Sequence, residues 1–297
     1  MNPSEGPFEF TAPIPTLERP RLLIALQPWI DIGSVGTMAL GFLEQTWGAE
    51  EIARLARPGI FYDFSRYRPM LFRSEGERHV AVPNTFLRSA RSPDADWLFL
   101  HALEPHAHGE DFVDGVLGLV HRFGVRQYAL IGSMYAPVPH TRPPVAGGGA
   151  NSDWLSERLH RAGVRESTYE GPTTILATMP QLAADEGIET GSVIVQLPAY
   201  IQLERDYCGT EALLDILSRV YSLSLDLEPL REESDRQRRA MEDSVAQNPE
   251  LQAMVAELER AYDSDAPPQV DDEDAPKLSP ELEGFLKDIE TRLDRPD

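Results

Sequence analysis

The chain holds a single cysteine, Cys208, so no intramolecular disulfide can brace it and its core must come from packing alone. Lysine is almost as scarce. Only Lys277 and Lys287 occur, against 25 arginines, a bias that reads as genomic composition of the kind a GC-rich bacterium imposes. No apolar run reaches the length of about 18 residues that a membrane-spanning helix needs, so none is expected. The opening Met-Asn-Pro-Ser-Glu-Gly-Pro has no basic stretch leading into an apolar one, so no secretory leader is expected either. With the lone thiol, this points to the cytoplasm.

Basic charge is also in short supply. The net charge of −22 excludes the positive footprint that a phosphate-backbone partner requires, so no nucleic acid is expected. The deficit is uneven: residues 228–297 carry 21 acids against 9 bases. Catalytic signatures are missing too. No Gly-x-Ser-x-Gly elbow occurs, no His-Glu-x-x-His accompanies the histidines, and no Gly-Lys-Ser/Thr follows a glycine turn.

What is present is alternation. Short apolar runs at Leu22–Leu26, Glu51–Ala56, Met70–Phe72, His79–Val82, Trp97–Leu100, Tyr128–Ile131 and Ser192–Leu197 predict strands. Helical spacing predicts helices over Thr37–Trp47, Phe112–Phe123, Ser152–Ala162, Thr173–Ala184 and Thr210–Tyr221. Strands alternating with helices of this length predict an α/β fold with a largely parallel central sheet flanked by helices. Residues 1–20, with five prolines, read as a disordered lead-in, and 21–227 as the α/β domain. Two charged helices follow as an appendage over 228–263, broken at Asn248-Pro249. An acidic disordered linker over 264–280 and a short tail helix over 281–293 complete the chain.

The most pointed segment is Ser133-Met-Tyr-Ala-Pro-Val-Pro-His140-Thr-Arg142-Pro-Pro144. Proline fixes φ and offers no N–H, so the tract should leave the sheet as a rigid connection presenting His140 and Arg142. Asp31, Asp63, Glu104 and Arg142 all fall near predicted strand ends, which a parallel sheet gathers on one edge. Two readings stand: an ion-pair network that braces the loops, or a pocket. In the pocket reading His140, Asp31, Asp63 and Glu104 supply acid–base groups, while Arg142, His140 and Gly33 hold an anion. Gly33 and Gly36 sit between a strand and a helix start, where phosphates bind, but equally where a tight turn needs permissive backbone. His101, His106, His108 and His140 lack a ligand framework, so no metal and no cofactor is expected. Gly147-Gly148-Gly149 reads as a hinge, and Cys208 as an incidental thiol.

Seven strings resemble the bacterial and archaeal branch of the proteasome assembly chaperone 2 family. They are Pro28-Trp-Ile-Asp-Ile-Gly33, Phe61-Tyr-Asp-Phe64, Arg68-Pro69, Glu104-Pro105, Val138-Pro-His-Thr-Arg-Pro143, Tyr169-Glu-Gly-Pro172 and Leu197-Pro-Ala-Tyr200. The resemblance implies a phosphorylase/hydrolase-like fold used without known catalysis. It implies a homo-oligomer, with a trimer as one arrangement, and proteasome subunits as partners. Archaeal relatives dock through a hydrophobic-tyrosine-any tail; this chain ends Arg-Leu-Asp-Arg-Pro-Asp297, so that route is not expected. Ala199 also stands where relatives carry histidine between proline and tyrosine.

Overall fold

The computed structural model describes residues 4–11, 13–74, 76–184 and 187–264. The linker and tail helix expected beyond Ser264 lie outside the described residues. The fold is mixed α/β with a large central sheet flanked by helices. Backbone contacts divide it into two compact units, each made of discontinuous segments.

The first unit comprises residues 1–29, 40–130 and 169–191. Its strands are β1 (Ser4–Glu5), β2 (Phe8–Phe10), β3 (Arg21–Gln27), β4 (Glu50–Leu55), β5 (Met70–Ser74), β6 (Glu77–Ala81), β7 (Phe86–Arg91) and β8 (Asp96–Leu103). They run side by side in the order β1-β2-β4-β7-β8-β3, with β5 and β6 apart as a hairpin. Parallel pairing holds for β3 with β8, where seven residues of β3 register against Trp97–Leu103. The flank from β1 to β8 is antiparallel throughout. Helices α2 (Gly109–Phe123) and α4 (Met179–Ala184) complete the unit, with most of α1 (Val35–Trp47).

The described residues of the proline-rich start include the strands β1 and β2. Phe8 and Phe10 alternate with Glu9, place both rings inward, and pair with Leu55 and Ala53 of β4. A three-residue period-2 signal between prolines was too short to read as a strand. Pro7 and Phe8 pack where a side chain on Gly115 would stand, so α2 carries glycine there. The 173–184 segment, expected as one helix, is a 3-10 turn over Ile175–Thr178 followed by α4.

Of the described residues, the second unit comprises 30–39, 131–168 and 192–264. It holds β10 (Ala146–Ala150), α3 (Asp153–Arg161), β11 (Val164–Glu166), α5 (Tyr207–Tyr221), α6 (Glu228–Ala246) and α7 (Pro249–Asp263). Strands β9 (Gln127–Ala136) and β12 (Glu189–Pro198) begin in the first unit and end in the second, where the order is β9-β12-β10-β11. β9 runs on through Ser133–Ala136, so the proline tract leaves the sheet five residues later than Ile131. The triple glycine is not a hinge but a strand: the Ser192 carbonyl lies where a Cβ on Gly148 would stand, so only glycine fits. Asn248 caps α7 as expected, its Oδ1 accepting from Glu250 N at 2.9 Å. Helices α6 and α7 lie in the second unit. Tyr200, Ile201, Leu203, Met241, Val245, Leu251 and Val255 share one core cluster there.

Candidate functional site

The predicted site residues sort into two groups, one within each unit. In the second unit, the Asp31 carboxylate caps α1. Its Oδ1 accepts from Gly36 N at 2.6 Å and Thr37 N at 3.1 Å, and its Oδ2 from Thr37 Oγ1 at 2.5 Å. The helix N-terminal amides that could have cradled a phosphate therefore already face an acid of this chain. Gly33 sits at φ +59, and a Cβ there would lie 2.7 Å from Asp206 Cβ. Its carbonyl accepts from Asp206 N at 2.8 Å. The glycines of this turn serve close approach.

The Pro139–Pro144 loop is closed by the C-terminal helices. The Arg142 guanidinium holds Asp263 through Nε at 2.9 Å and Nη2 at 2.8 Å, a bidentate fork, and Glu259 through Nη1 at 2.9 Å. These two carboxylates raise the arginine's already high pKa further, Asp263 first. Thr141 Oγ1 donates to Glu259 Oε1 at 2.5 Å, and Tyr262 Oη donates to the Pro143 carbonyl at 3.1 Å. His140 is buried. Its backbone N–H donates to Tyr200 Oη at 2.9 Å, and its Nδ1 lies 2.7 Å from the same oxygen. Burial holds the imidazole below its ordinary 6.5, with Glu242 and Glu259 pulling the other way. Among the described residues its Nε2 has no hydrogen-bond partner.

In the first unit Asp63 and Glu104 meet around aromatic rings. Asp63 N donates to His106 Nδ1 at 3.1 Å, and the exposed Asp63 carboxylate accepts from Ser65 N at 2.8 Å, which lowers its pKa. Tyr67 Oη donates to the Glu104 carbonyl at 3.1 Å, and its ring lies 4.5 Å from His106. Glu104 Oε1 accepts from Ile175 N at 3.2 Å, while burial raises its pKa. Its Oε2 is buried with no partner among the described residues.

Two acids that the sequence reading did not single out are more deeply set. Glu44 on α1 sits between Arg88 Nη1 at 2.8 Å and His101 Nε2 at 2.6 Å. Burial alone would raise its pKa, but His101 and Arg88 overcome this and hold it down. Asp206 caps α5 through Gly209 N at 2.7 Å, and burial pushes it up to about 6. Its place three residues before Gly209 at a helix start was the available signal. The histidines scatter: His101 serves Glu44, His106 serves Asp63 N, and His108 faces Asp111. Among the described residues no three His, Cys, Asp or Glu side chains converge as a metal site. No helix there is long and apolar enough to cross a membrane.

The model of the PAC2 family matches residues 25–245. The chain belongs to the PAC2 family. A solved Mycobacterium tuberculosis protein of unknown function, Rv2714, is similar at 26% identity and TM-score 0.77, covering 97% of this chain and 98% of its own. The M. tuberculosis proteasome-assembly chaperone homologue Rv2125 is similar at 25% identity and TM-score 0.70, covering 79% and 99%. Pyrococcus furiosus PbaB, an archaeal proteasome activator, shares the fold at 17% identity and TM-score 0.63, covering 80% and 97%. No curated protein matches the chain.

Proposed function

We propose that this protein is a non-catalytic, homo-oligomeric, cytoplasmic member of the PAC2 family that acts in protein assembly, with proteasome subunits as its partners. The observation that carries this reading is the family match across 25–245, together with the likeness to a proteasome-assembly chaperone homologue at 25% identity. The loop chemistry agrees with it. Arg142, the anion-binding candidate of the sequence, is engaged by Asp263 and Glu259 of the same chain. Crosslinking the tagged protein in its own organism and identifying what travels with it by mass spectrometry tests the role. Enrichment of proteasome α or β subunits is the expected result; their absence from every crosslinked band contradicts it.

A second reading, a phosphorylase/hydrolase-like binder of small anions, is favoured by the buried orphan Nε2 of His140. In it Arg142, His140 and Gly33 of the second unit hold the anion, with His140 and Asp31 as acid–base groups, while Asp63 and Glu104 belong to the first unit and stand outside that site. An anion on Arg142 must displace both carboxylates, so phosphate, nucleosides or carboxylates should raise the melting temperature of the wild type and not of Arg142→Ala. No shift with any of them removes this reading.

A further inference from the structure

The β5–β6 hairpin is folded in a way that its own sequence cannot support. All ten strand residues are exposed. Of the eleven large apolar side chains exposed among the described residues, Met70, Leu71, Phe72, Val80 and Val82 lie on or beside it. A lone two-stranded ribbon is marginal in water, because it needs a third strand or a packed face to bury its side chains. Nothing scattered about such a patch: five apolar residues within thirteen positions is a surface awaiting cover.

The two faces of the ribbon differ. Residues paired across an antiparallel ribbon share a face. Met70 with Ala81, Phe72 with His79 and Ser74 with Glu77 make one, on which the Phe72 and His79 rings stack at 5.5 Å. Leu71 with Val80 and Arg73 with Arg78 make the other. Two guanidiniums directly opposite one another repel and lower the ribbon's stability. Among the described residues neither arginine forms a salt bridge, whereas Arg54, Arg88, Arg142 and Arg238 each have a carboxylate within reach. A face that is apolar and carries an unneutralised arginine pair calls for an acidic counter-surface that can cover leucine and valine.

The chain as a whole has the opposite charge. Residues 68–82 hold three arginines against two glutamates, in a protein whose net charge is −22. Arm against arm would set arginine pair against arginine pair, so the attraction runs from the arm of one molecule to the acidic body of another. We propose that the β5–β6 hairpin is an association arm that docks its Leu71, Arg73, Arg78 and Val80 face onto an acidic surface of a second copy of this chain. This rests on the oligomeric reading above and names the element that makes the contact.

Sedimentation equilibrium of the full chain tests it with two variants, Leu71→Ser/Val80→Ser and Arg73→Glu/Arg78→Glu. Because the arm is exposed, both should keep a cooperative melting transition, matching the wild type at concentrations where it is monomeric. Each should weaken self-association by about 100-fold or more, as loss of two central contacts at about 1.4 kcal/mol per tenfold implies. For the wild type and for the serine variant's residual association, added salt should favour monomer. An oligomeric wild type with equally oligomeric variants overturns the arm while leaving the oligomer and the assembly role standing. A monomeric wild type overturns both the arm and the homo-oligomer. Recovery of proteasome subunits by crosslinking is read separately, so that role does not fall with the arm. A variant that loses its melting transition also overturns the proposal, since the arm would then be holding its own fold together.

Discussion

The Pro139–Pro144 loop and the β5–β6 hairpin both present arginine on a projecting segment, and the structure treats them in opposite ways. Arg142 meets Glu259 and Asp263, two acids one turn apart on α7, in a fork that satisfies the guanidinium plane. Arg73 and Arg78 stand opposite each other across the ribbon. His140, beside the first, is buried and tied to Tyr200; His79, between the second pair's strands, stacks on an exposed Phe72. One region has its partners within the chain, so it reads as architecture. The other has apolar area and positive charge in excess, so it reads as the part that meets another molecule. Sequence conspicuousness is therefore a poor guide to which loop is open: the proline-rich tract drew the eye, and it is the closed one.

The largest way to break this contrast is to remove the helix that closes the loop. Leu251 is fully buried at the start of α7, and Leu251→Ala should cost about 2–5 kcal/mol in denaturant unfolding. It should also free Arg142, so that an anion that raises the melting temperature of this variant and not of the wild type would sharpen the comparison. Tyr200→Phe removes the oxygen that serves both His140 N and Nδ1. Leaving those buried groups unpaired should cost about 1–3 kcal/mol by the same measurement.

A smaller effect should appear with pH. Burial holds His140 below its ordinary 6.5, so the folded state binds fewer protons than the unfolded chain. The stability gained from a neutral imidazole is complete above that value and is lost as pH falls below it. The stability of the wild type relative to His140→Gln should therefore shrink as pH is lowered from about 7.5 to about 5. The groups facing it are Tyr200, Glu242 and Glu259; a difference that grows on acidification would mean these acids dominate burial. The smallest effect is expected at the open region. Leu71→Ser should change unfolding free energy by no more than about 0.5 kcal/mol, because an exposed side chain on an unpacked ribbon has little to lose.

Much of the fold was legible where periodicity was strong. The strands at Leu22–Leu26 and Trp97–Leu100 and the helix at Phe112–Phe123 lie within observed elements, because each buries a run or a stripe long enough to impose its period. The start of the chain was not legible, since Phe8 and Phe10 offer two inward positions among prolines. Nor was β10, where glycine is demanded by the Ser192 carbonyl and gives no strand signal of its own. At the candidate site, the sequence pointed to individual residues but not to their partners. His140 and Arg142 were singled out as chemistry, but their acids sit more than a hundred residues later on α7. Glu259 and Asp263 do stand four apart, the spacing that puts two carboxylates on one helix face, but nothing local says which arginine they will find. Glu44 was invisible for the same reason, because Arg88 and His101 reach it from distant strands.

The most direct test of the contrast between a closed loop and an open arm is amide hydrogen exchange at low and high protein concentration. The account predicts that amides of Met70–Ala81 gain protection as concentration rises, while those around His140–Arg142 exchange at the same rate throughout. Concentration-independent exchange at the arm, or protection that appears at the loop instead, would contradict it.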